Sequence, residues 1–419
     1  MRIGVVIGRI GGIDGVALET EKCITVLKSL GHEVCIITGE LETPMTNVTM
    51  LPELSFSHPL CEAAQRDAFL EQQADEEEFV KRLKKEASYI ALQLEKWISD
   101  EKIEVLFTQN ALALPCHLQM GMALRDVIEK TAIPTVAHNH DFYWERGDRY
   151  NTSYPLIENI KKECFPPILP SIKQAVINSY SKNQLKSKFN VDSVILPNVM
   201  DFNKPFAEFD DYNSDLPHAL GFTDDDIPLF QITRIVSRKG IETAISLVER
   251  LKDKRVKLYI TGYDKDLGQV YSAGLKEQVQ RLHLEKQVFF VSHLFDNVRK
   301  MDGEQKIYSL ADAYAYCRAT TYFSTYEGFG NAFVESVIAK RPVFVNNYIP
   351  VYWPDIGSKG FKTVQIENGE LTDEAVKAIS RIINSKDECE EIGEYNYALG
   401  KEHFSYEVLK ELLAKLFTF

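Results

Sequence analysis

Short runs of β-branched and other apolar residues alternate along the chain with longer stretches in which apolar residues recur every three or four positions. The run "IGVVIG" (3–8) is followed by the helical "GVALETEKCITVLKSLG" (15–31) and then by "HEVCIITG" (32–39). Later strand-like runs are "IEVLFTQN", "IPTVAHNHD", "QAVINSY" and "DSVILPNV". This rhythm predicts βαβ units, and therefore a parallel sheet with helices on both faces.

The rhythm stops at 203–226, where Pro, Asn and Asp accumulate, and this composition predicts a linker. A second series of the same kind follows it. Its pieces are "PLFQITRIV", the helical "GIETAISLVERLKD", "VKLYITG", "QVFFVSH", "TTYFST", "RPVFVNN" and "FKTVQI". Two doubly wound α/β domains are therefore expected, and such pairs commonly hold a ligand in the cleft between them, near the carboxyl ends of their strands.

Composition and charge narrow the class of protein. The 419 residues carry a net charge of −13 and no basic block, so nucleic acid is not an expected partner. No run approaches the 18 apolar residues that suggest a membrane span. The seven Cys are scattered without a CxxC pair, and "MRIGVVIG" enters a strand directly, so we expect a cytoplasmic protein with reduced thiols. The oligomeric state stays open.

The stretch "YEGFGNAFVE" (326–335) carries the strongest chemical signal, because Glu327 and Glu335 flank a glycine turn. The turn and the predicted helix start hold Gly328, Phe329, Gly330 and Asn331. Free N–H groups and the positive end of the helix dipole would face this turn, which favours an anion or a polar sugar. The alternative is an ordinary glycine turn with two solvated glutamates.

A second glycine-rich turn, "GRIGGIDGVALE" (8–19), follows the first predicted strand. It lacks the GxGxxG spacing, and no acidic residue ends the second strand "VCIIT", so a dinucleotide oxidoreductase is rejected. Gly12 and Gly15 either approach a diphosphate and its acceptor or only make a tight strand–helix turn.

The stretch "AHNHDFYWERGDRY" (137–150) combines histidines, arginines and aromatic residues at the end of a predicted strand. His138 and His140 point the same way by strand alternation, and Tyr143, Arg146 and Arg149 follow. The run His-x-His-Asp is compatible with a metal site, but no third convincing ligand is evident and no metal is expected. A polar loop with buried aromatic residues is the remaining alternative.

These motifs together resemble the retaining family 4 glycosyltransferases of the GT-B fold. The resemblance is carried by Glu–seven residues–Glu with "EGFG" at its front, and it covers nearly the whole chain. Further matching segments, in order, are "GRIGGIDGVALE", "IPTVAHNHD", "LPNVMDF" (196–202) and "RIVSRKGIE" (234–242). The usual glycines are replaced by Thr233 and Val199, which affects loop geometry more than chemistry.

The resemblance implies a GT-B architecture of two Rossmann-like domains facing across a cleft. Residues 1–205 are expected to form the acceptor domain and residues 206–395 the nucleotide-sugar domain. The amphipathic "YEVLKELLAKLF" comes after the last predicted strand. We therefore expect a returning helix within 396–419, from about Tyr406, which packs on the N-terminal domain.

The resemblance also implies a reaction, the transfer of a hexose from a nucleotide diphosphate sugar, UDP- or GDP-linked, with retention. Arg234 and Lys239 are expected to meet the diphosphate, Glu335 the ribose hydroxyls and Glu327 the transferred sugar, which His140 would face. Catalytic roles fall to Glu327, His140, Arg234 and Lys239. The expected donor-binding residues are Gly12, Arg234, Lys239, Glu327, Gly328, Phe329, Gly330, Asn331 and Glu335. Front-face attack, with the leaving phosphate taking the acceptor proton, is implied, and no cofactor is required.

The acceptor is expected to be a small, soluble, polar molecule with a carboxylate or phosphate. Its site would include Gly15, His138, Tyr143, Arg146 and Arg149, since Arg suits planar anions. A lipid acceptor is not expected, because "ADEEEF" precedes and offsets the basic "KRLKKE" of the N-terminal domain. The arginines could instead pair with Asp141 and Asp148 and only shape the loop.

Two other classes of function remain open at this point. One is a nucleotide-sugar epimerase or a phosphorylase on the same fold, which a changed sugar after incubation with donor alone would reveal. The other is a non-catalytic nucleotide-sugar binder, against which the presence of both glutamates and both cations argues.

Overall fold

A computed structural model describes residues 1–12, 14–263 and 269–419. The chain divides into two compact units, Met1–Val199 with Tyr406–Phe419, and Met200–Ser405. Residues 200–205 and 396–405 thus belong to the second unit, whereas the sequence pattern assigned them to the first. The reason is local bonding, since the Met200 amide donates to the Phe404 carbonyl at 2.8 Å and the Tyr397 hydroxyl to the Phe202 carbonyl at 2.9 Å.

The first unit begins with a strand and alternates strands with helices. Its strands are β1 (Arg2–Ile10), β2 (Glu33–Leu41), β3 (Val48–Met50), β4 (Val105–Gln109), β5 (Thr135–Asn139), β6 (Ile172–Val176) and β7 (Ser193–Ile195). Its helices are α1 (Gly15–Ser29), α2 (Pro59–Gln65), α3 (Glu76–Asp100), α4 (Leu118–Thr131), α5 (Pro155–Cys164) and α6 (Ser179–Phe189).

The seven strands form one parallel sheet in the order β3-β2-β1-β4-β5-β6-β7. Side chains of β1 alternate between the two faces of this sheet. Ile3 and Val5 pack in the core beneath α1, whereas Val6 packs in the core beneath α3 and α4. A strand buried on both faces reads as a continuous apolar run, which explains "IGVVIG".

The second unit has a similar rhythm. Its strands are β8 (Ile227–Gln231), β9 (Val256–Ile260), β10 (Val288–Phe290), β11 (Phe295–Asp296), β12 (Lys300–Asp302), β13 (Gln305–Ser309), β14 (Ala319–Tyr322), β15 (Val343–Asn346) and β16 (Val364–Ile366). Its helices are α7 (Leu216–Leu220), α8 (Ile241–Leu251), α9 (Gln269–Arg281), α10 (Leu310–Tyr316), α11 (Asn331–Ile338), α12 (Tyr352–Asp355), α13 (Asp373–Asn384) and α14 (Lys386–Phe404).

Six of these strands form a parallel sheet in the order β10-β9-β8-β14-β15-β16. Its two faces are again covered, since Leu229 packs beneath α8 and α13 while Phe230 packs on the opposite side, near α10. β8 and β14 are neighbours in the middle of the sheet, so the loops that follow them emerge side by side at the carboxyl edge.

A small three-stranded sheet, β11-β13-β12, is attached to the second unit. Its β12–β13 hairpin is antiparallel. Arg299 ties the segment down, because its guanidinium bonds both oxygens of the buried Asp312, at 2.5 and 3.0 Å, and Asp210 at 2.6 Å. This hairpin was not predicted from the sequence.

The last helix, α15 (Tyr406–Leu416), returns to the first unit. Leu409, Leu413 and Leu416 lie in the same core as Ile3 and Val5. Their spacing places them on one face of the helix, which explains the amphipathic pattern of the segment. None of the helices in the described part of the chain has the length and apolar composition that a membrane crossing requires.

Candidate active site

The loops after β8 and β14 meet closely at the carboxyl edge of the second sheet. A Cβ added at Gly240 would lie 2.1 Å from the Phe323 carbonyl oxygen, and φ there is +60°. Glycine is therefore required at this contact. The Thr325 amide donates to the Arg238 carbonyl at 2.8 Å and fastens the two loops together.

Glu327 lies in this contact with its carboxylate held between two cations. Its side chain is buried, and Oε1 accepts a hydrogen bond from Nζ of Lys239. Oε2 accepts a bond of 2.7 Å from Nη1 of Arg238, which also donates to the Tyr326 carbonyl at 2.8 Å. Buried charges of this kind persist only when they are paired, and here both carboxylate oxygens are occupied.

The pKa values of Glu327 and Lys239 are set by burial and by the neighbouring charges. Burial alone would raise the pKa of Glu327, but Lys239 and Arg238 hold the pKa of this carboxyl below its ordinary value. Burial lowers the pKa of Lys239; Glu327 opposes that effect, and the nearby Arg238 and Arg234 add to it. The two pKa values therefore move in the same direction, unlike those of an isolated ion pair. Glu327 remains an anion at neutral pH.

The glycine turn before α11 is fixed by Tyr348. The Tyr348 hydroxyl donates to the Phe329 carbonyl at 2.8 Å, and a Cβ added at Gly330 would lie 2.1 Å from that hydroxyl. Gly330 has φ of +131° and caps α11, which begins at Asn331. Gly328 is half-buried, whereas the Phe329 ring is buried against Phe404, so its side chain serves packing.

Glu335 lies one turn inside α11 and is half-buried. The buried Tyr314 of α10 donates a hydrogen bond of 3.0 Å to its Oε2. Arg234, by contrast, is exposed. No ion pair or side-chain hydrogen bond of Arg234 occurs within the residues that the structure describes, which leaves its five donors for a ligand.

In the first unit, the glycine turn after β1 is lined by acidic side chains. The Gly11 amide donates to Glu21 at 3.2 Å, and a Cβ added at Gly12 would lie 2.3 Å from the carboxyl carbon of Glu42. Gly15 is the first residue of α1, with open space around it. A side chain at position 12 would therefore require the exposed Glu42 side chain to move.

His138 and His140 lie together at the carboxyl end of β5, with ring centroids 4.3 Å apart. His138 stacks on Phe107 and bonds Gln109 through Nδ1 at 3.0 Å. Burial lowers the pKa of His140 to about 4, although Asp141 opposes it, and lowers the pKa of His138 well below its ordinary value. Both imidazoles are neutral at pH 7. In the described chain, Nε2 of each ring has no hydrogen-bond partner.

The two predicted acceptor arginines differ in their surroundings. Arg146 forms an ion pair with Asp141, which also accepts a bond of 3.0 Å from Asn110. Arg149 lies over the Tyr150 ring at 5.4 Å, and it forms no ion pair with any described residue. Tyr143 is half-buried beneath the Lys161 ammonium at 5.1 Å.

The rival metal interpretation of this loop gains no support from the geometry. Among the described residues, no group of three or more His, Cys, Asp or Glu side chains is arranged to hold a metal ion. Asp141 is instead engaged by Asn110 and Arg146.

Comparison with known proteins places the chain in a family. Residues 214–399 match the model of "Glycosyl transferases group 1". Mannosylglucosylglycerate synthase of Petrotoga mobilis is 31% identical over 94% of this chain and 93% of its own length. The enzyme of the same name from Thermotoga maritima is 32% identical over 99% of each chain. The crystal structure of a glycosyltransferase from Rickettsia africae superposes with a TM-score of 0.69 at 15% identity, covering 99% and 97% of the two chains.

The chain belongs to the retaining family 4 glycosyltransferases. Its two parallel-sheet, Rossmann-like units are those of the GT-B fold, as the sequence predicted. The resemblance on which that prediction depended is therefore confirmed at the level of family and fold, while the roles of single residues remain predictions.

In this glycosyltransferase, the structure brings Glu327 and Lys239 into contact and places Glu335 on the helix that follows the same turn. It also shows three polar residues that the sequence analysis did not single out. Arg238 bonds Glu327, Tyr314 bonds Glu335, and Glu145 lies in the loop after β5. Burial raises the pKa of Glu145 to about 7, although it accepts hydrogen bonds from the Phe142 amide and the Ser181 hydroxyl.

Proposed function

We propose that this glycosyltransferase moves a mannosyl group from a nucleotide diphosphate sugar to glucosylglycerate, with retention at the anomeric carbon. The second unit would bind the donor and the first unit the acceptor. The main structural support for this reaction is the buried Glu327, whose two carboxylate oxygens accept hydrogen bonds from Lys239 and Arg238. Glu335 lies on α11, the helix that follows the same glycine turn. The identity of more than 30% with two mannosylglucosylglycerate synthases supports the choice of substrates.

The donor site follows from the charges of the second unit. Arg234 and Lys239 supply positive charge for the diphosphate, and the exposed Arg234 has the forked geometry that suits phosphate oxygens. Glu335, directed by Tyr314, would accept hydrogen bonds from the two ribose hydroxyls. The Glu327 carboxylate would accept from hydroxyls of the transferred sugar.

The acceptor proposal depends on the first unit and on the names of the relatives. Glycerate carries a carboxylate, and Arg149 is a guanidinium without an ion-pair partner in the described chain. An acidic protein of net charge −13 repels an anionic acceptor at long range, so a specific cation is needed to hold it. Arg149 is the better candidate, because Arg146 is neutralised by Asp141.

The proposed step is a front-face displacement. The bond from the anomeric carbon to the diphosphate oxygen breaks, and the acceptor hydroxyl oxygen bonds to the same carbon on the same face. The hydroxyl proton goes to the departing diphosphate. Lys239 and Arg234 stabilise the charge that develops on the leaving group, and losing either is expected to reduce the rate by about 10²–10³.

We further propose that the reaction requires no metal, since the cations of the second unit can neutralise the diphosphate. Activity should then survive excess chelator, and loss with EDTA followed by recovery with magnesium would contradict this part. A cytoplasmic location is proposed from the seven free thiols, which suit a reducing compartment.

The substrate proposal is tested by a matched acceptor panel with purified protein. UDP-mannose and GDP-mannose are each offered with glucosylglycerate, with its uncharged amide, with glycerate and with glucose, and products are measured by mass spectrometry. Transfer to glucosylglycerate, and weak transfer to the amide, is expected. Equal rates with the acid and the amide would show that the acceptor carboxylate is not recognised. The absence of a mannosyl product with both donors would overturn the proposal.

A further inference from the structure

Glu327 depends on two cations that come from one short segment. Ser237–Lys239 forms a 3-10 turn after β8, and its neighbouring residues Arg238 and Lys239 bond opposite oxygens of the same carboxylate. Arg238 adds a second bond to the Tyr326 carbonyl, the residue just before Glu327. The guanidinium therefore fixes both the backbone and the side chain of the loop that presents Glu327.

Once a donor is bound, Lys239 cannot neutralise and orient Glu327 by itself. Its ammonium has three N–H donors and a single charge, and the proposed diphosphate would compete with Glu327 for both. Two negative groups would then face one buried cation, with Arg234 nearby. A carboxylate that loses its cation in a buried place takes up a proton instead, because burial disfavours the charged form.

We propose that Arg238 is a positioning residue, which keeps Glu327 oriented and ionised while Lys239 binds the donor diphosphate. This rests on the proposed function, in which Lys239 meets that diphosphate. Arg238 is suited to the task because its side chain is 36% exposed whereas that of Lys239 is 11% exposed, so its charge costs less to hold than that of Lys239.

The other groups around Glu327 cannot replace Arg238. Tyr322 of β14 and Tyr348 of the loop after β15 face the carboxylate, and their buried hydroxyls are neutral. Ser324 lies near the carboxylate and helps to lower its pKa, but it carries no charge. Apart from Lys239, Arg238 is thus the cation in contact with Glu327 among the described residues.

The direct test measures ionisation of Glu327 without donor sugar or acceptor. Protein labelled with ¹³C at the glutamate carboxyl carbon is titrated by NMR, and Glu327→Gln assigns the signal. Inorganic pyrophosphate serves as the probe for Lys239. In the wild type, the pKa of Glu327 should lie below its ordinary value both with and without pyrophosphate. In Arg238→Met its pKa should rise by about 1 pH unit or more, and pyrophosphate should raise it further.

Two variants control this measurement. Arg255→Met removes another arginine–carboxylate pair of the second unit, Arg255–Asp253 just before β9, and should leave the Glu327 titration unchanged. Arg238→Lys keeps the charge and should restore a low pKa. The proposal is overturned if Arg238→Met titrates like the wild type, or if pyrophosphate adds nothing to its shift. Should Arg238→Met not fold, a Glu327 pKa in Arg238→Lys that rises with pyrophosphate overturns it instead.

Kinetics provide the second readout. Arg238→Met should lower kcat by about 10²-fold, as a misplaced reacting group does, while the donor KM changes little. The acid limb of its pH–rate profile should move upward, together with the NMR pKa. A rise in donor KM with an unchanged acid limb would contradict the positioning role. Because the titration needs neither mannose nor glucosylglycerate, a failed transfer assay refutes the proposed substrates and leaves this inference to be decided on its own.

Discussion

The hydroxyl of Tyr314 donates a hydrogen bond of 3.0 Å to Oε2 of Glu335, so a buried side chain of α10 sets the direction of a half-buried carboxylate on α11. The same hydroxyl lies 3.4 Å from the Ala332 carbonyl in the first turn of α11. Burial and the neighbouring Glu335 raise the pKa of Tyr314 well above its ordinary value, so the hydroxyl keeps its proton and can donate this hydrogen bond at every working pH.

Tyr314→Phe should therefore weaken donor binding more than turnover. Glu335 loses the bond that orients it, and the donor KM should rise about tenfold or more, since a hydrogen bond to a charged group contributes about 1.5–3 kcal/mol. Tyr316→Phe, on the same helix, is the matched control and should leave the donor KM unchanged. An equal fall of kcat in both variants would indicate a general effect on α10 instead.

Gly330→Ala should abolish most activity through one identifiable contact. The new methyl group would lie 2.1 Å from the Tyr348 hydroxyl, and the φ of +131° adds backbone strain of about 1–3 kcal/mol. Gly360→Ala, with φ of +91° but open space, controls for strain. The double variant Gly330→Ala/Tyr348→Phe should regain part of the lost thermal stability, because the hydroxyl that clashes is gone. No recovery would show that backbone strain alone is responsible.

Glu145→Gln should change stability in a pH-dependent way. The pKa of this half-buried carboxyl is raised to about 7, so the folded protein holds the proton more tightly than the unfolded chain. That contribution is fully present below the ordinary pKa near 4.5 and is lost as pH rises through 7. The substitution should therefore raise Tm more at pH 8 than at pH 5. A gain of equal size at both values would contradict the raised pKa.

Arg149→Ala and Arg146→Ala should differ in acceptor binding. Arg149 has no ion pair with any described residue, and its loss should raise the acceptor KM about tenfold at saturating donor. Arg146 is already neutralised by Asp141, so its loss should act mainly on the loop and on Tm. An unchanged acceptor KM in both variants would show that neither arginine binds the acceptor.

Much of the fold follows from the sequence pattern, because strands buried on both faces read as continuous apolar runs. β1 and β8 were visible in this way, and β14 was visible as a β-branched and aromatic run. The carboxyl-edge rule then explains why Glu327 and Lys239 come together. The β12–β13 hairpin was missed because Lys300–Asp302 is exposed and polar, with no alternation to mark a strand. The limits of the two units were missed because Phe202 and Tyr397 meet through a hydrogen bond that spans much of the sequence.

The residues of the candidate site also differ in how far the sequence predicts them. Glu327, Lys239 and Gly330 lie in loops with recognisable spacing, whereas Arg238 resembles any surface arginine until Glu327 is placed beside it. Tyr314 lies inside an apolar helix, where an aromatic residue usually signals packing. The raised pKa of Glu145 arises from burial, which no local pattern reveals.

Retaining mannosyl transfer can be read from the NMR spectrum of the product made from GDP- or UDP-linked α-mannose and glucosylglycerate. The one-bond carbon–proton coupling at the new anomeric carbon distinguishes α from β linkage. We expect a single α-mannosyl product, formed about 10²–10³-fold more slowly when Lys239→Ala replaces the wild-type protein. A β-linked product, or an undiminished rate of product formation with Lys239→Ala, would contradict the proposed transfer.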